Sequence, residues 1–547
     1  RPRVFVAFAG GGAKGLAHVG ALKALETHQV DFQGFAGTSA GAIVAALAAA
    51  GVRADEMIDP ESEASIVAEI ATHVPTIKVL TDLFGPVGWP KIRAFRDMMA
   101  SSTRRRLPPA VLWALVLSIV ALALGFTAFS GLIGQTTGAI VALMLWTIVL
   151  TVSALGVMAV YGGLARLDTL RLALDKVLTH RVLGPNARRS VLMSDFDGTT
   201  WPLLKIVAAD ISHRKMQLFS RDILPDTPVA DAVAASICLP FIFAPWSLGL
   251  SRLVDGGIVS NFPAWPFDEE RSLDGDALTC GFQIADPPPQ GGAQTPSPPA
   301  PAPWPFAVIQ TALFGSVQLS TRAVGRAEFI TLRPELDLLD FDIKSLTTRQ
   351  VLAKMTAYAL TEIDRRLFAD PEVYRAACEV TQRSLAEVLQ EAGARFLKAP
   401  DTPWRVRCAV ALPPEGLKRS LQTRHGFGYE DDPDQGLVWP LDETSLAGQA
   451  WTGGTVIFEH EPLARDLELT GSRNAALRRL VWRELAWSFR VPIYNSKGEP
   501  ALVVLLDGSA PLRQSQPVTK AFEAFADVVD QTFKPVVAQF EDHSAHG

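Results

Sequence analysis

The N-terminal part of the chain alternates between short apolar runs and longer stretches in which apolar and small residues mix with a few polar ones. The runs "RVFVAFAG" and "FQGFAG" have the length and composition of buried strands. The stretches that follow them, "AKGLAHVGALKALETHQ" and "GAIVAALAAAG", are long enough to form helices. Strands that alternate with helices predict an α/β domain with a mostly parallel sheet.

The same alternation returns in the middle of the chain. The runs "LLKIVAADI" and "KMQLFS" predict strands, and "VADAVAASICL" predicts a helix. A proline-rich segment at 286–306 predicts an exposed loop, because proline suits neither helix interiors nor sheet centres. The α/β domain is therefore predicted in two parts, 1–103 and 167–369.

A long uncharged segment separates these two parts. Residues 107–165 contain no Asp, Glu, Lys, Arg or His, and two stretches within them are each about 20 residues long, enough to cross about 30 Å of hydrocarbon as helices. Arginines flank the segment on both sides, which by the positive-inside rule predicts cytoplasmic ends. We therefore expect a transmembrane helical hairpin at 104–166 in the inner cell membrane, with the other domains cytoplasmic. A buried pair of helices in a soluble core is the alternative.

Composition narrows the classes of partner. A formal net charge of −6 provides no dominant positive field, so we expect no nucleic-acid partner. The chain has four cysteines without C-x-x-C spacing, and we expect reduced thiols, no metal site and no cofactor. No signal peptide opens the chain, and the question of residues before Arg1 is left open.

Ser39 lies between two glycines at the junction of a predicted strand and a predicted helix. The segment Gly37-Thr38-Ser39-Ala40-Gly41 has the G-x-S-x-G spacing of a nucleophile elbow, in which a sharp turn exposes the serine hydroxyl at a helix N-terminus. A serine N-cap in an ordinary strand-to-helix turn has the same local pattern. The pentapeptide alone leaves both interpretations open.

Three consecutive glycines, Gly10 to Gly12, connect the first predicted strand to the first predicted helix. Backbone N–H groups in such a loop can converge on an anion, either a nucleotide phosphate or the oxyanion of an acyl-transfer intermediate. The loop lacks the G-K-[ST] ending of a P-loop and matches G-x-G-x-x-G only loosely. We therefore favour an oxyanion hole, to which Lys14 adds a positive charge. A solvated lysine is an equally good interpretation of Lys14.

A third block, Asp255-Gly256-Gly257, follows another apolar strand. On its own this tripeptide predicts a turn. Taken in order, however, the glycine loop, the elbow serine and the strand-end D-G-G resemble the three signature blocks of the patatin-like phospholipases, a family of lipid acyl hydrolases. The resemblance covers about residues 3–270 and departs from the family at the hairpin and at Lys14, where the family more often has arginine.

The resemblance implies a three-layer α/β/α hydrolase fold and a catalytic dyad. Ser39 is then the nucleophile, Asp255 its base, and the N–H groups of Gly11 and Gly12 the oxyanion hole. The implied supporting residues are Gly10, Lys14, Gly37, Gly41, Gly256 and Gly257. The implied substrates are membrane glycerolipids at a lipid bilayer.

Two other patterns compete with this interpretation. Serine hydrolases commonly use a histidine base, but His18 lies within the first predicted helix, and we interpret it as a packing residue. The segment 195–199, "DFDGT", imitates the nucleophile loop of haloacid-dehalogenase-like phosphatases. A predicted strand rather than a helix follows this segment, so we interpret its acids as loop residues.

The last third of the chain has a different pattern. Residues 370–400 predict an amphipathic connector helix, and 401–547 alternate strands with turns before a final helix, which predicts an α+β domain. The segments "SLAGQAWTGGTVI" and "WSFRVPIYNSKGEPALVVLLD" resemble a GAF domain, a small-molecule sensor module. The resemblance implies a small-molecule effector or a homo-oligomer. A degenerate domain without a ligand is the alternative.

These observations together predict a membrane-anchored lipid acyl hydrolase, a serine hydrolase of the phospholipase A type, regulated by the GAF-like domain. Two alternatives stay open. One is a tethered esterase or thioesterase that acts on soluble acyl esters, and the other is a catalytically silent membrane sensor or scaffold.

Overall fold

The chain divides into two units. They comprise Arg1–Thr361 and Glu362–Gly547. Most of the predicted hairpin at 104–166 and nearly all of the proline-rich segment at 286–306 lie outside the described residues. The predicted boundaries of the hairpin (104–166), the connector helix (370–400) and the C-terminal domain (401–547) are finer than this division and stay predictions. The computed structural model describes residues 1–58, 65–104, 144, 147, 162–274, 277–286, 311, 312, 315, 327–413, 420–429 and 432–544.

The first unit is organised around one β-sheet. Its strands are β1 (Arg3–Phe8), β2 (Asp31–Thr38), β3 (Leu203–Asp210), β4 (Lys215–Phe219), β5 (Trp246–Leu248), β6 (Ser251–Asp255), β7 (Ala277–Ile284) and β8 (Ala327–Leu332). The eight strands follow the order β5-β6-β3-β2-β1-β7-β8, with β4 paired to β3 off this path. Strands β3, β2, β1, β7 and β8 run parallel, whereas β4 and β6 are antiparallel to β3. The strand predictions for "RVFVAFAG", "FQGFAG" and "LLKIVAADI" are confirmed.

Both faces of this sheet are covered. Phe8 of β1 contacts His18, whereas Phe5 of the same strand stacks on Phe267 with ring centroids 4.6 Å apart. Side chains of opposite parity point to opposite faces of a strand, so packed layers lie on each side. The described helices up to residue 363 are α1 (Leu16–Thr27), α2 (Ala40–Ala49), α3 (Ala54–Met57), α4 (Ile66–His73), α5 (Gly88–Arg104), α6 (Asp168–Leu183), α7 (Val229–Ser236), α8 (Gly257–Ser260), α9 (Asp268–Leu273) and α10 (Ser345–Ile363).

Sheet register brings distant parts of the first unit together. Thr38 at the end of β2 pairs with Val207 of β3, and the next residue of β3, Ala208, pairs with Asp255 at the end of β6. Because β6 runs antiparallel to β3, its last residue lies beside the point where β2 ends. Ser39 and Asp255 therefore meet although they are far apart in the chain.

The described residues contradict the prediction of an inner-membrane location. Within them, no helix is both long enough and apolar enough to cross a bilayer. The described helices nearest to the predicted hairpin, α5 and α6, carry charged side chains along their length, such as Arg93 and Lys176. The hairpin at 104–166 itself lies almost wholly outside the residues that the structure describes.

The second unit contains a six-stranded antiparallel sheet in the order β11-β10-β9-β14-β13-β12, built from β9 (Val406–Leu412), β10 (Ser420–Phe427), β11 (Val438–Pro440), β12 (Ile457–His460), β13 (Trp487–Tyr494) and β14 (Pro500–Gly508). Its helices are α11 (Asp370–Ala392), α12 (Leu446–Gly453), α13 (Ala475–Arg478) and α14 (Gln516–Ser544). Helices α11 and α14 share an apolar core with one face of the sheet. The other face packs with α12 around Trp439 and Trp482.

Charged side chains are buried beside this second core. Arg407 and Arg490 are almost completely buried, and both pair with Asp507, at 3.2 Å and 2.7 Å. Asp434 is a further partner of Arg407. Buried charges of this kind are tolerated only when they are paired, and each of the two arginines has a buried carboxylate as its partner.

Candidate active site

Ser39 occupies a sharp turn between β2 and α2. Its φ of +54° lies in the left-handed region that residues other than glycine rarely adopt. Such a conformation costs on the order of 1–3 kcal/mol and persists where the surroundings impose it. Here the Ser39 N–H donates to Ser236 Oγ at 2.9 Å, and Ser236 Oγ in turn donates to the Val207 carbonyl at 2.6 Å. The turn is thus tied to the neighbouring strand β3.

The two flanking glycines are required by close packing. A Cβ at Gly41 would overlap the carbonyl oxygen of Phe8 and lie 2.7 Å from that of Ala9. A Cβ at Gly37 would lie 2.6 Å from the Cα of Ala42. These glycines let the first turn of α2 approach both its own strand and the end of β1. The G-x-S-x-G spacing therefore corresponds to a real elbow in the structure.

Asp255 is the hydrogen-bond partner of the Ser39 hydroxyl. Ser39 Oγ donates to Asp255 Oδ2 at 2.7 Å, and the two residues are 216 positions apart in the chain. Asp255 is fully buried, and this burial raises the pKa of its carboxyl to about 6, against the hydrogen bonds from Ser39 and Gly257 that lower it. A carboxylate with such a pKa is basic enough to accept a proton near neutral pH.

The glycines after Asp255 hold its carboxylate in place. The N–H of Gly257 donates to Asp255 Oδ1 at 2.8 Å, which leaves the other oxygen for Ser39. A Cβ at Gly256 would overlap the carbonyl oxygen of Val207 and lie 3.1 Å from the side chain of Thr38. The D-G-G block is thus a turn, and it also orients the acid.

The glycine loop after β1 lies against the elbow. The Gly10 N–H is committed to the carbonyl of Asn261 at 2.8 Å. A Cβ at Gly10 would overlap Asn261 Oδ1 and lie 3.1 Å from the Cβ of Ser39. Gly10 therefore provides close approach to Ser39 and does not contribute a free donor.

Gly11 and Gly12 line the cavity beside Ser39. Neither of their N–H groups has a hydrogen-bond acceptor among the residues that the structure describes. Gly12 has a φ of +55°, and a Cβ there would overlap the backbone carbonyl of Leu338. A Cβ at Gly11 would lie 2.6 Å from Ile284 Cδ1. Two backbone donors next to a serine hydroxyl can receive an oxyanion.

Lys14 forms an ion pair at the edge of this loop. Its Nζ contacts Asp286 Oδ1, and the lysine side chain is 12% exposed while that of the aspartate is 83% exposed. The charge of Lys14 is thus partly neutralised by a surface carboxylate. The sequence allowed two interpretations of Lys14, a charge that helps to bind an anion and a solvated side chain. The ion pair with Asp286 differs from both.

A large apolar cavity of about 670 Å³ adjoins Ser39 and Asp255. The glycine loop forms its polar end, and the residues 338–341 lie over that end. Helices α2, α4 and α6 supply the apolar walls, with side chains that include Ile43, Val44, Leu47, Ile66, Ile70, Leu170, Leu174 and Val177. The arrangement places a nucleophile at the end of a compartment suited to a hydrocarbon chain.

The residues of the two competing sequence patterns, His18 and the segment 195–199, make contacts that serve the structure. His18 is buried, its Nε2 donates to the Ala9 carbonyl at 2.7 Å, and burial lowers its pKa to about 4, so it is neutral and holds the backbone that leads into the glycine loop. Asp195 pairs with Arg189 at 2.6 Å. Asp197 accepts the N–H groups of Thr199 and Thr200 in a turn, and these hydrogen bonds lower its pKa.

Sequence reasoning did not assign two residues that shape the site. Ser236 fixes the amide of Ser39, and Asn261 fixes Gly10. Ser236 lies in "VADAVAASICL", for which the pattern predicted a helix, and Asn261 lies four positions after Gly257 of the D-G-G block. The pattern in these segments gave neither side chain a role of its own. The sequence pattern also did not indicate that α4 and α6 line the cavity.

A serine exposed on a sharp strand-to-helix turn of the G-x-S-x-G type is the nucleophile elbow of α/β hydrolases. Residues 6–268 match the family model of the patatin-like phospholipases. This part of the chain is therefore a patatin-like phospholipase domain with the corresponding α/β hydrolase fold, as the sequence blocks predicted.

Similarity to individual proteins is limited. The uncharacterized protein YqhO of Bacillus subtilis is 38% identical in an alignment of 78 positions, and the match covers 12% of this chain and 27% of that protein. The chain thus spans about a quarter of the length of the curated relative it matches. The crystal structure of VipD from Legionella pneumophila has 14% identity and a TM-score of 0.33, over 66% of this chain and 67% of that one.

The distant structural neighbours of the chain also include GAF domains. The GAF domain of a two-component sensor histidine kinase from Bacillus halodurans has 16% identity and a TM-score of 0.20, over 29% of this chain and 94% of that one. The GAF-like character of the second unit stays a prediction.

Proposed function

We propose that the first unit hydrolyses acyl esters of lipids, with Ser39 as nucleophile and Asp255 as its general base. The observation that carries this proposal is the 2.7 Å hydrogen bond from Ser39 Oγ to the buried carboxylate of Asp255, at the end of an apolar cavity. A hydroxyl activated by an adjacent base is the requirement for covalent catalysis by serine.

In the proposed mechanism, Asp255 accepts the hydroxyl proton as Ser39 Oγ attacks the ester carbonyl. The carbonyl oxygen becomes an oxyanion, and the N–H groups of Gly11 and Gly12 stabilise it, each by about 3 kcal/mol. The leaving alcohol takes the proton from Asp255, and an acyl-enzyme remains on Ser39. Asp255 then removes a proton from water, which attacks the acyl carbonyl and forms a second oxyanion. As this intermediate collapses, the bond between the acyl carbon and Ser39 Oγ breaks, Ser39 Oγ takes the proton back from Asp255, and the carboxylic acid leaves.

The apolar cavity favours long acyl chains over short ones. Each methylene moved from water into such a lining contributes about 0.8 kcal/mol. A short soluble ester leaves most of the walls formed by α2, α4 and α6 without contact. Glycerolipids are therefore the proposed substrates, in preference to soluble esters or thioesters.

The test measures fatty-acid release by the purified full chain from phospholipid in mixed micelles, and turnover of a short-chain aryl ester under the same conditions. The Ser39→Ala variant serves as the blank. We expect a kcat/KM for the phospholipid well above that for the short ester. A higher value for the short ester would support the soluble-ester alternative, and absence of turnover on both by a folded chain would support a silent sensor.

The activity is expected to depend on pH through Asp255. Only the ionised carboxylate can accept the serine proton, and burial raises its pKa to about 6. Below pH 6 we therefore expect kcat/KM to rise about tenfold per pH unit, and above about pH 7 we expect a plateau. Measurement on a soluble ester between pH 4.5 and 8 provides the profile. A flat profile over this range would contradict the role of Asp255 as base.

We also propose that the second unit is a GAF-like regulatory domain. The six-stranded antiparallel sheet with helices packed on both faces supports this proposal. In this role the unit binds a small-molecule effector. Turnover by the full chain in the presence of candidate effectors is the relevant measurement.

A further inference from the structure

Two histidines and a glutamate meet on the outside of the cavity wall. Glu69 and His73 lie one turn apart on α4, and His180 lies on α6. One ligand atom from each of the three residues lies within 4.8 Å of the other two. The two imidazole rings are 5.1 Å apart between centroids. Glu69 is partly buried, and both histidines are exposed to solvent.

We propose that Glu69, His73 and His180 bind one divalent transition-metal ion of the zinc type. Two imidazole nitrogens and one carboxylate oxygen form a donor set that zinc accepts, with water in the fourth position. With metal–ligand distances of about 2.1 Å, ligand atoms in a tetrahedral site are about 3.4 Å apart. Small rotations of the exposed imidazoles close the remaining gap.

The donor set decides the class of ion. Calcium and magnesium prefer oxygen ligands, and this site supplies one carboxylate against two imidazoles. Imidazole suits zinc, copper and nickel. The site therefore selects for these ions and against the alkaline-earth ions.

Arg181 orients the carboxylate of this site. Its Nε and Nη2 donate to the two oxygens of Glu69 at 2.9 Å and 2.6 Å, and its Nη1 donates to Glu56 at 2.9 Å. A carboxylate oxygen that accepts one hydrogen bond retains a lone pair for a metal, and such outer contacts commonly fix the orientation of metal ligands. The charge of Arg181 is shared with Glu56, which limits its repulsion of an ion.

The proposed ion fastens two walls of the cavity to each other. Helix α4 contributes Ile66 and Ile70 to the cavity lining, and α6 contributes Leu174 and Val177. Glu69, His73 and His180 are not among the lining residues, so the ion does not touch an ester bound there. The proposed role of the ion is to hold these two helices together, and the inference does not depend on the proposed hydrolysis.

The test titrates the metal-free full chain with zinc ions in competition with a chromophoric chelator. We expect one tight equivalent for the unaltered chain and an affinity loss of about 100-fold or more for His73→Ala and for His180→Ala, because each removes a direct ligand and the loss of an outer contact alone costs about 10- to 100-fold. Zinc is also expected to raise the thermal midpoint of the unaltered chain and not those of the two variants. Equal midpoints of all three chains without zinc exclude misfolding as the cause.

His213→Ala provides the matched control. His213 is exposed and pairs with one carboxylate, Asp210, at 2.7 Å, but it belongs to no three-residue cluster among the described residues. Its replacement is expected to leave zinc affinity unchanged. Zinc binding that both His73→Ala and His180→Ala retain would overturn the proposal, and so would the absence of a tight equivalent in the unaltered chain.

Discussion

Replacing Ser39 with alanine or Asp255 with asparagine is expected to lower kcat for ester hydrolysis by about 10⁴-fold. Ser39 Oγ donates its proton directly to Asp255 Oδ2, so either change removes the activated nucleophile. Because the two residues act as a unit, the double variant is expected to be no less active than either single variant. Steady-state turnover of one soluble ester by all three variants provides the comparison.

Stability measurements separate this loss from misfolding. Burial raises the pKa of Asp255 to about 6, above its ordinary value of 3.8, so the folded state binds a proton more tightly than the unfolded state. The contribution of this group to stability is therefore present at low pH and is lost as the pH rises toward 6. Asparagine carries no charge to bury, and we expect Asp255→Asn to unfold at pH 8 at the same temperature or a higher one. A large fall in its midpoint, or activity retained by Ser39→Ala, would contradict this account.

The second large effect is expected for Gly41→Ala. The added Cβ would overlap the carbonyl oxygen of Phe8 and lie 2.7 Å from that of Ala9, and backbone atoms cannot rotate away as a flexible side chain can. Helix α2 must then move away from the end of β1. We expect a loss of about 3 kcal/mol in the free energy of unfolding. Urea denaturation of the variant and the unaltered chain measures this difference.

Gly162→Ala is the matched control for this change. A Cβ at Gly162 would meet no atom of the described residues within 4 Å, and its backbone φ is not in the left-handed region. The same chemical exchange is therefore expected to change the unfolding free energy by less than about 0.5 kcal/mol. Equal effects of the two substitutions would show that the contact with Phe8 does not restrict residue 41.

The sequence pattern predicted the first unit well because local rules and tertiary structure agree there. The runs that became β1, β2 and β3 are mostly apolar, as strands buried on both faces tend to be, although β2 begins with Asp31 and β3 contains Lys205. The glycine spacing around Ser39 reflects contacts of a few ångströms between neighbouring elements. The meeting of Ser39 with Asp255, in contrast, depends on sheet register, which the pattern alone does not specify.

Other features could not be predicted because they arise between segments that are remote in the chain. The cavity walls come from α4 and α6, which lie on either side of residues 105–161. For the same reason, His73 and His180 gave no spacing motif of the kind that indicates a metal site. The location in the inner membrane was inferred from hydropathy and flanking charge. It required a helix long and apolar enough to cross a bilayer, and no described helix is both.

One short segment connects all three parts of the candidate site. Asp255 begins it, the Ser260 carbonyl accepts the hydroxyl of Thr38 at 2.9 Å, and the Asn261 carbonyl accepts the N–H of Gly10 at 2.8 Å. Base, nucleophile turn and glycine loop are therefore fastened to the same seven positions, 255–261. A local opening of this segment would release all three at once, so heat or denaturant would switch the site off as a single unit instead of eroding its components one by one.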